Sequence, residues 1–155
     1  MRIIKYFLVA ALLCFLYLME GRDYTADIDV AVVEKKINPD TTDGELVKGD
    51  DRQLRKLYGI DANDVEEYVL YIPGEIMSVE ELLLIKAKDI QDMEYLQECV
   101  QERLENQMRS FESYGTNQIA MLKKAKVQKR GRYLFFAVSD ERETWQKIFE
   151  GEIKR

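Results

Sequence analysis

Apolar side chains fall along this chain in three patterns, and each predicts a different kind of element. From Tyr6 to Met19 fourteen residues run without a charge, and Ile3 and Ile4 extend the run past Lys5. A helix over Ile3 to Met19 would be about 25 Å long at 1.5 Å per residue. That is slightly short of the roughly 30 Å core of a bilayer, and Arg2 and Lys5 can snorkel across the difference. The segment has no polar face, so it predicts a transmembrane helix.

The second pattern is helical periodicity. Val30, Val33 and Ile37 predict a helix that Asp27 or Asp29 can cap. A short helix over Arg52 to Leu57 should stop at Tyr58-Gly59, and Asp61 then reads as the cap of another helix from Ala62 to about Tyr71, halted by Pro73-Gly74. From Asp92 to Ser113 the residues Met93, Leu96, Val100, Leu104, Met108 and Phe111 form one stripe opposite Glu98, Glu102, Glu105 and Arg109. Gln118 to Lys124 adds a further helical turn or two. Asp140 and Glu143 have capping-box spacing before a last helix whose Trp145, Ile148 and Phe149 face inward.

The third pattern is strand-like. Met77, Val79, Leu83, Ile85 and Ala87 alternate, interrupted only by Glu81, so Met77 to Lys88 reads as a strand in spite of its helix-favouring composition. Val127 to Arg130, Gly131, then Arg132 to Ser139 reads as a hairpin. Its second half, Tyr133 to Val138, is apolar on both faces and should be the central strand. Asn38 to Asp51, rich in Asp, Thr and Gly, reads as a loop. The order strand, helix, hairpin, helix implies an α+β domain with a small, mostly antiparallel sheet under packed helices. The chain therefore divides into a cytoplasmic tip and signal anchor over residues 1–21 and an extracytoplasmic domain over residues 22–155.

Three processing routes compete for the N-terminal segment. A cleaved signal peptide needs small residues before its cut, and Tyr17-Leu18-Met19 offers none. A lipoprotein signal would place small residues before its cysteine, whereas Cys14 follows Leu12-Leu13 and precedes Phe15-Leu16. An uncleaved anchor fits best. Arg2 and Lys5 precede the span while Glu20, Arg22 and Asp23 follow it, so the positive-inside rule puts the N-terminus in the cytoplasm and the folded part outside the cell membrane.

Composition then narrows the chemistry. The 155 residues contain no histidine and two cysteines, which removes Ser-His, Cys-His and His-metal sites along with any disulfide framework. With Arg2 and Lys5 left inside, the exported part carries 21 basic against 29 acidic side chains, a net −8 that disfavours nucleic acid. Cys99, at the edge of its helical stripe, reads as a half-buried small hydrophobe. Asn38, Asp40, Asp43 and Glu45 lack the spacing of an EF-hand loop and read as a solvated turn.

Two sets of residues stand out. Glu81 interrupts the apolar side of its strand; the ordinary reading is a strand-end carboxylate reaching solvent, and the alternative is a buried ion pair with Arg103. Lys123, Lys124, Lys126, Lys129, Arg130 and Arg132 put six cations into ten residues of an acidic domain. They suit either a charged edge that resists strand-on-strand aggregation or a contact with an anionic polymer or headgroup. Ser139 has no Ser-x-x-Lys context and reads as a helix-boundary hydroxyl. No catalytic, cofactor or metal residues emerge.

Leu57-Tyr58-Gly59-Ile60-Asp61, with Asp64-Val65 and Tyr68, resembles the helix-turn-helix opening of an uncharacterised bacterial family. Its members are small membrane-anchored or lipoprotein-like exported proteins of low-GC Gram-positive bacteria, classed as a domain of unknown function. Glu81, Ile85 and Ala87-Lys88, then Arg103, Phe111 and Tyr114, resemble its strand and long helix. Ala125-Lys126-Val127 with Gly131, Tyr133 and Ser139 resembles its hairpin. The likeness spans Ile28 to Phe149 and implies no activity; this chain departs from it in lacking a lipoprotein cysteine. The functional expectation is a non-enzymatic module that binds an envelope protein or an anionic polymer, with a carboxylate-based envelope hydrolase as the alternative.

Overall fold

The computed structural model describes residues 25–42 and 46–154, together with residues 6, 8 and 11–13, which are helical. Most of the expected membrane span, Cys14 included, lies outside the described residues. No helix among the described residues is long and apolar enough to cross a membrane.

Five strands form one sheet in the order β1-β2-β3-β5-β4, every pair antiparallel. They are β1 (Leu46–Lys48), β2 (Val65–Pro73), β3 (Glu81–Ala87), β4 (Lys126–Arg130) and β5 (Tyr133–Val138). The helices are α1 (Val30–Ile37), α2 (Asp51–Tyr58), α3 (Met93–Phe111), α4 (Thr116–Leu122) and α5 (Arg142–Ile153), with 3-10 turns at Ala62–Asp64 and Ile90–Asp92. The fold is α+β, with apolar layers on both faces of the sheet.

Those layers follow from the two-residue period of a strand. Leu83, Ile85 and Ala87 of β3, with Leu134, Phe136 and Val138 of β5, face a layer closed by Leu54 and Tyr58 of α2, by Leu96 and Val100 of α3, and by Leu122 of α4. Leu82 and Leu84, with Phe135 and Ala137, face the other layer, closed by Val30, Val33 and Ile37 of α1 and by Trp145, Phe149 and Ile153 of α5. Every residue of β3 and of β5 is buried, which explains why their sequences read as apolar runs rather than clean alternations. The expected central strand was Tyr133–Val138; β3 takes that place, with β5 beside it.

Other expectations change as well. The helix expected over Ala62 to Tyr71 is a single 3-10 turn followed by β2. Asp61 does cap, accepting from the Asn63 N–H, but only that turn. Beyond it Val65, Tyr68, Val69, Tyr71 and Ile72 suit a pleated surface, and pairing on both sides with β1 and β3 overrides the cap. The Asn38 to Asp51 loop contains the short edge strand β1. The expected helix-turn-helix opening is thus helix, turn, strand. The Asp140–Glu143 capping box is absent too: α5 starts at Arg142 without a side-chain cap, and Ser139 Oγ accepts from the Glu141 N–H instead.

Asp29 caps α1, accepting from Ala31 N–H. Asp50 caps α2 in a reciprocal box, its carboxylate on Gln53 N–H and the Gln53 side chain on its own N–H, and Gly59 ends the helix at φ +70°. An Asp50→Ala variant should lose about 1 kcal/mol of stability, the usual worth of such a cap, as read by urea denaturation. No change in the urea midpoint would mean that burial of Leu54 and Tyr58 alone holds α2.

Candidate functional site

Glu81 opens β3 on the odd-numbered face, so its side chain points at α3. It is fully buried, which overturns the solvent-facing reading. Arg103 and Gln107, one helical turn apart on α3, lie above it. Arg103 brings Nη2 to 3.0 Å from Glu81 Oε2 and Nε to 3.2 Å from Oε1, a two-pronged grip. Gln107 Nε2 donates to Oε2 at 2.9 Å, and the Tyr58 hydroxyl, at the end of α2, donates to Oε1. Burial pushes the Glu81 carboxyl up from its ordinary value, against the pull of Arg103, Tyr58 and Gln107. Burial, together with the Glu81 charge, likewise drives the Tyr58 phenol well above its ordinary value.

Arg103 and Gln107 of the cluster also line a groove of about 290 Å³ whose walls include Leu57, Pro73, Ser78 and Phe111. A second groove of about 360 Å³ lies across the β2–β3 loop, between that loop, α4 and Asp140. The Gln107 carbonyl Oε1 is buried and takes no hydrogen bond.

At the other end of β3, on the opposite face, Lys86 is the charged counterpart. Its side chain is 6% exposed, and Nζ stands 2.8 Å from Glu66, 2.9 Å from Asp27 and 3.7 Å from Glu67. Arg132 joins the same carboxylates, reaching Asp27 at 3.3 Å and Glu66 at 2.5 Å. Through these bonds residues 25–30 are strapped to the sheet. Tyr133 Oη exchanges 2.8 Å bonds with the N–H and the carbonyl of Ile28, Val30 N–H donates to Glu67, and Ala26 N–H donates to the Ile153 carbonyl. Gly131, at φ +52°, is pressed on the strap so closely that a Cβ there would meet Thr25 Oγ1 at 2.5 Å.

The family model of DUF4358, a domain of unknown function, matches residues 40–139. The chain belongs to the DUF4358 family. No curated protein and no solved structure matches it. The DUF4358 stretch contains the whole sheet, the Glu81 cluster, Lys86 and Arg132; α1, α5 and the strap residue Asp27 lie outside it.

Within this DUF4358 chain the six basic residues occupy different settings. Arg132 is spent on the strap. Lys126 and Arg130 share the face of β4 on which Gln128 bonds Glu150 and Gln146 of α5. That hydrogen bond from Gln128, with the charges of Lys154 and Arg130, holds the Glu150 carboxyl below its ordinary range. Lys123, Lys124 and Lys129 are exposed. The charged strand is a sheet edge, flanked by lysines.

Tyr58, Gln107 and Lys86 were not singled out from the sequence. Gln107 had a signal, since it falls four residues after Arg103 on the same helical face. Lys86 had one too, as the lone cation inside an otherwise apolar strand. Of the acidic loop, Asp40 accepts from both the N–H and the hydroxyl of Thr42, closing a local turn, while Asp43 and Glu45 lie outside the described residues.

Proposed function

We propose that this DUF4358 protein is a non-catalytic binding module, anchored in the cell membrane through Ile3 to Met19, with its domain on the extracytoplasmic side of a bacterial envelope. The observation that carries the binding reading is the state of Glu81. A carboxylate that works on a substrate has to face water, a substrate atom or a second acid. Glu81 is enclosed by a guanidinium, a phenol and an amide, so its acceptor sites are spent on holding α2 and α3 to the sheet. No observation favours the envelope-hydrolase alternative.

The anchor rests on the charge-free run and its basic flank, with support from the side chains of Tyr6, Leu8, Leu12 and Leu13, helical and 56–74% exposed. Such apolar surface is stabilised by transfer into lipid. A periplasmic or cell-surface phosphatase reporter fused after Arg155 should be active, and a cytoplasmic fluorescent reporter at the same place dark. The reverse pattern would place the domain inside and remove the envelope from the proposal. The partner is an envelope protein or an anionic polymer, the latter through Lys123, Lys124 and Lys129.

A further inference from the structure

The strap fixes where residues 25–30 meet the sheet. Asp27, Lys86 and Arg132 sit at the Ala87 end of β3, where residues 25–30 join the sheet. Glu81 is six residues back along that strand, roughly 20 Å further from the point of entry at about 3.3 Å per residue. The β2–β3 loop, residues 74–80, therefore stands at the end of the sheet opposite the strap.

That loop is tied at two points. Ser78 N–H donates to the Glu75 carbonyl at 3.1 Å, and Gln118 Nε2 of α4 donates to the Met77 carbonyl at 2.9 Å. Between these ties Ile76 is 95% exposed and Met77 50%, with Tyr114, 64% exposed, stacked at a tilt on the groove residue Phe111. An aliphatic side chain held in water by a preformed turn costs hydration with no return inside the domain. Ile76, Met77 and Tyr114 together put exposed apolar surface at this end of the sheet, as a docking contact requires. Both grooves open beside it, sharing Glu75 and Ser78 in their walls. The lining of the second groove sets Met77, Val79 and Met121 beside the carboxylates of Glu75 and Asp140. Lys123 and Lys124 lie beyond Met121, outside that lining.

We propose that the 74–80 tip and its flanking grooves dock an extracytoplasmic protein segment that presents an aliphatic side chain next to a lysine or arginine. The aliphatic group packs on Ile76, Met77 and Met121, and the cation pairs with Glu75 and Asp140. This rests on the binding-module reading above and names the partner's chemistry.

The test uses the full chain in nanodiscs and two short capped peptides, one alternating leucine with lysine and one alternating serine with lysine. The Ile76 and Met77 methyl resonances should shift with the leucine peptide. Its affinity should fall at least tenfold in Ile76→Ser/Met77→Ser and again in Glu75→Gln/Asp140→Asn, while the thermal midpoint stays put because these side chains are exposed. The serine peptide should bind at least tenfold more weakly. Equal binding of both peptides, or no loss in either variant, would reduce the contact to general attraction to an acidic domain and overturn the proposal. Two further outcomes would also overturn it: self-association abolished by Ile76→Ser, which makes the occupant a second copy, or broadening of the Ile76 methyl by spin-labelled lipid, which makes it the bilayer. Failure of the chain to incorporate into nanodiscs would instead strike at the anchored reading, since peptide binding can be measured without lipid.

Discussion

An Arg103→Leu variant should be about 3–5 kcal/mol less stable than the parent chain at pH 7, the range found when one partner of a buried ion pair is removed. The size follows from what is left behind. Glu81 stays fully buried, and only Tyr58 and Gln107 still donate to it. Burial already raises the Glu81 carboxyl, with Arg103 as the largest opposing pull, so losing Arg103 raises it further. A carboxyl with a folded value above its unfolded one binds more protons in the native state, so the variant loses stability as pH rises through and beyond about 4.5. Urea titrations of both proteins should therefore converge toward pH 4 and separate toward neutrality. A pH-independent gap would mean that the loss is one of packing by the arginine stem and not of charge. The double variant Glu81→Leu/Arg103→Leu should recover part of the stability, since an apolar pair can replace a buried ion pair at little cost. Recovery should be incomplete, because the Tyr58 hydroxyl and the Gln107 amide lose their acceptor.

How much of this was legible before folding depends on whether the signal was local. Trp145 and Phe149 of α5, the α3 stripe, the β4–β5 hairpin and the cap at Asp29 are set by spacing over a few residues, and the structure agrees with the sequence there. The segment Ala62–Pro73 failed because its local signal, the Asp61 cap, conflicts with a non-local one. Its helix-compatible charges, Glu66 and Glu67, are on the strand to meet Lys86, a partner about twenty residues away that no window of periodicity includes. Glu81 was visible as an interruption in an apolar alternation. Its depth was not, because solvent or burial for a strand-end carboxylate is decided by whether a helix crosses over it. Here α3 does, and it brings Gln107 along with Arg103.

The two charged clusters divide the labour of β3. Glu81 faces the α2–α3 layer at one end and joins three elements; Lys86 faces the α1–α5 layer at the other and joins the sheet to the chain before α1. One strand thereby connects the strap at its Lys86 end to the groove lined by Arg103 and Gln107 at its Glu81 end. Because β3 is buried at every position and paired on both sides, the connection is stiff.

Lys86→Met should detach the strap. Lys86 is nearly buried, and its removal leaves Asp27, Glu66 and Glu67 gathered around a methyl group, with Arg132 still reaching Asp27 and Glu66. Lost charge-assisted bonds are worth about 1.5–3 kcal/mol each where desolvated. Asp27 is 74% exposed here, so solvent screening keeps the global loss small. The larger effect is local: amide exchange at Ile28 should rise toward that of an open segment while Phe135 and Phe149 keep their protection. Acid should do to the parent what the substitution does at neutral pH. The hydrogen bond from Lys86 is the first reason that both Asp27 and Glu66 lie below the ordinary carboxylate range. A carboxyl depressed on folding contributes stability above its unfolded value and gives it up as pH falls through the folded one. The parent strap should thus loosen below about pH 4, whereas in Lys86→Met its exchange should change much less with pH. Equal protection of Ile28 in both proteins at pH 7 would mean that Tyr133 and the Ala26–Ile153 backbone bond hold the strap without Lys86.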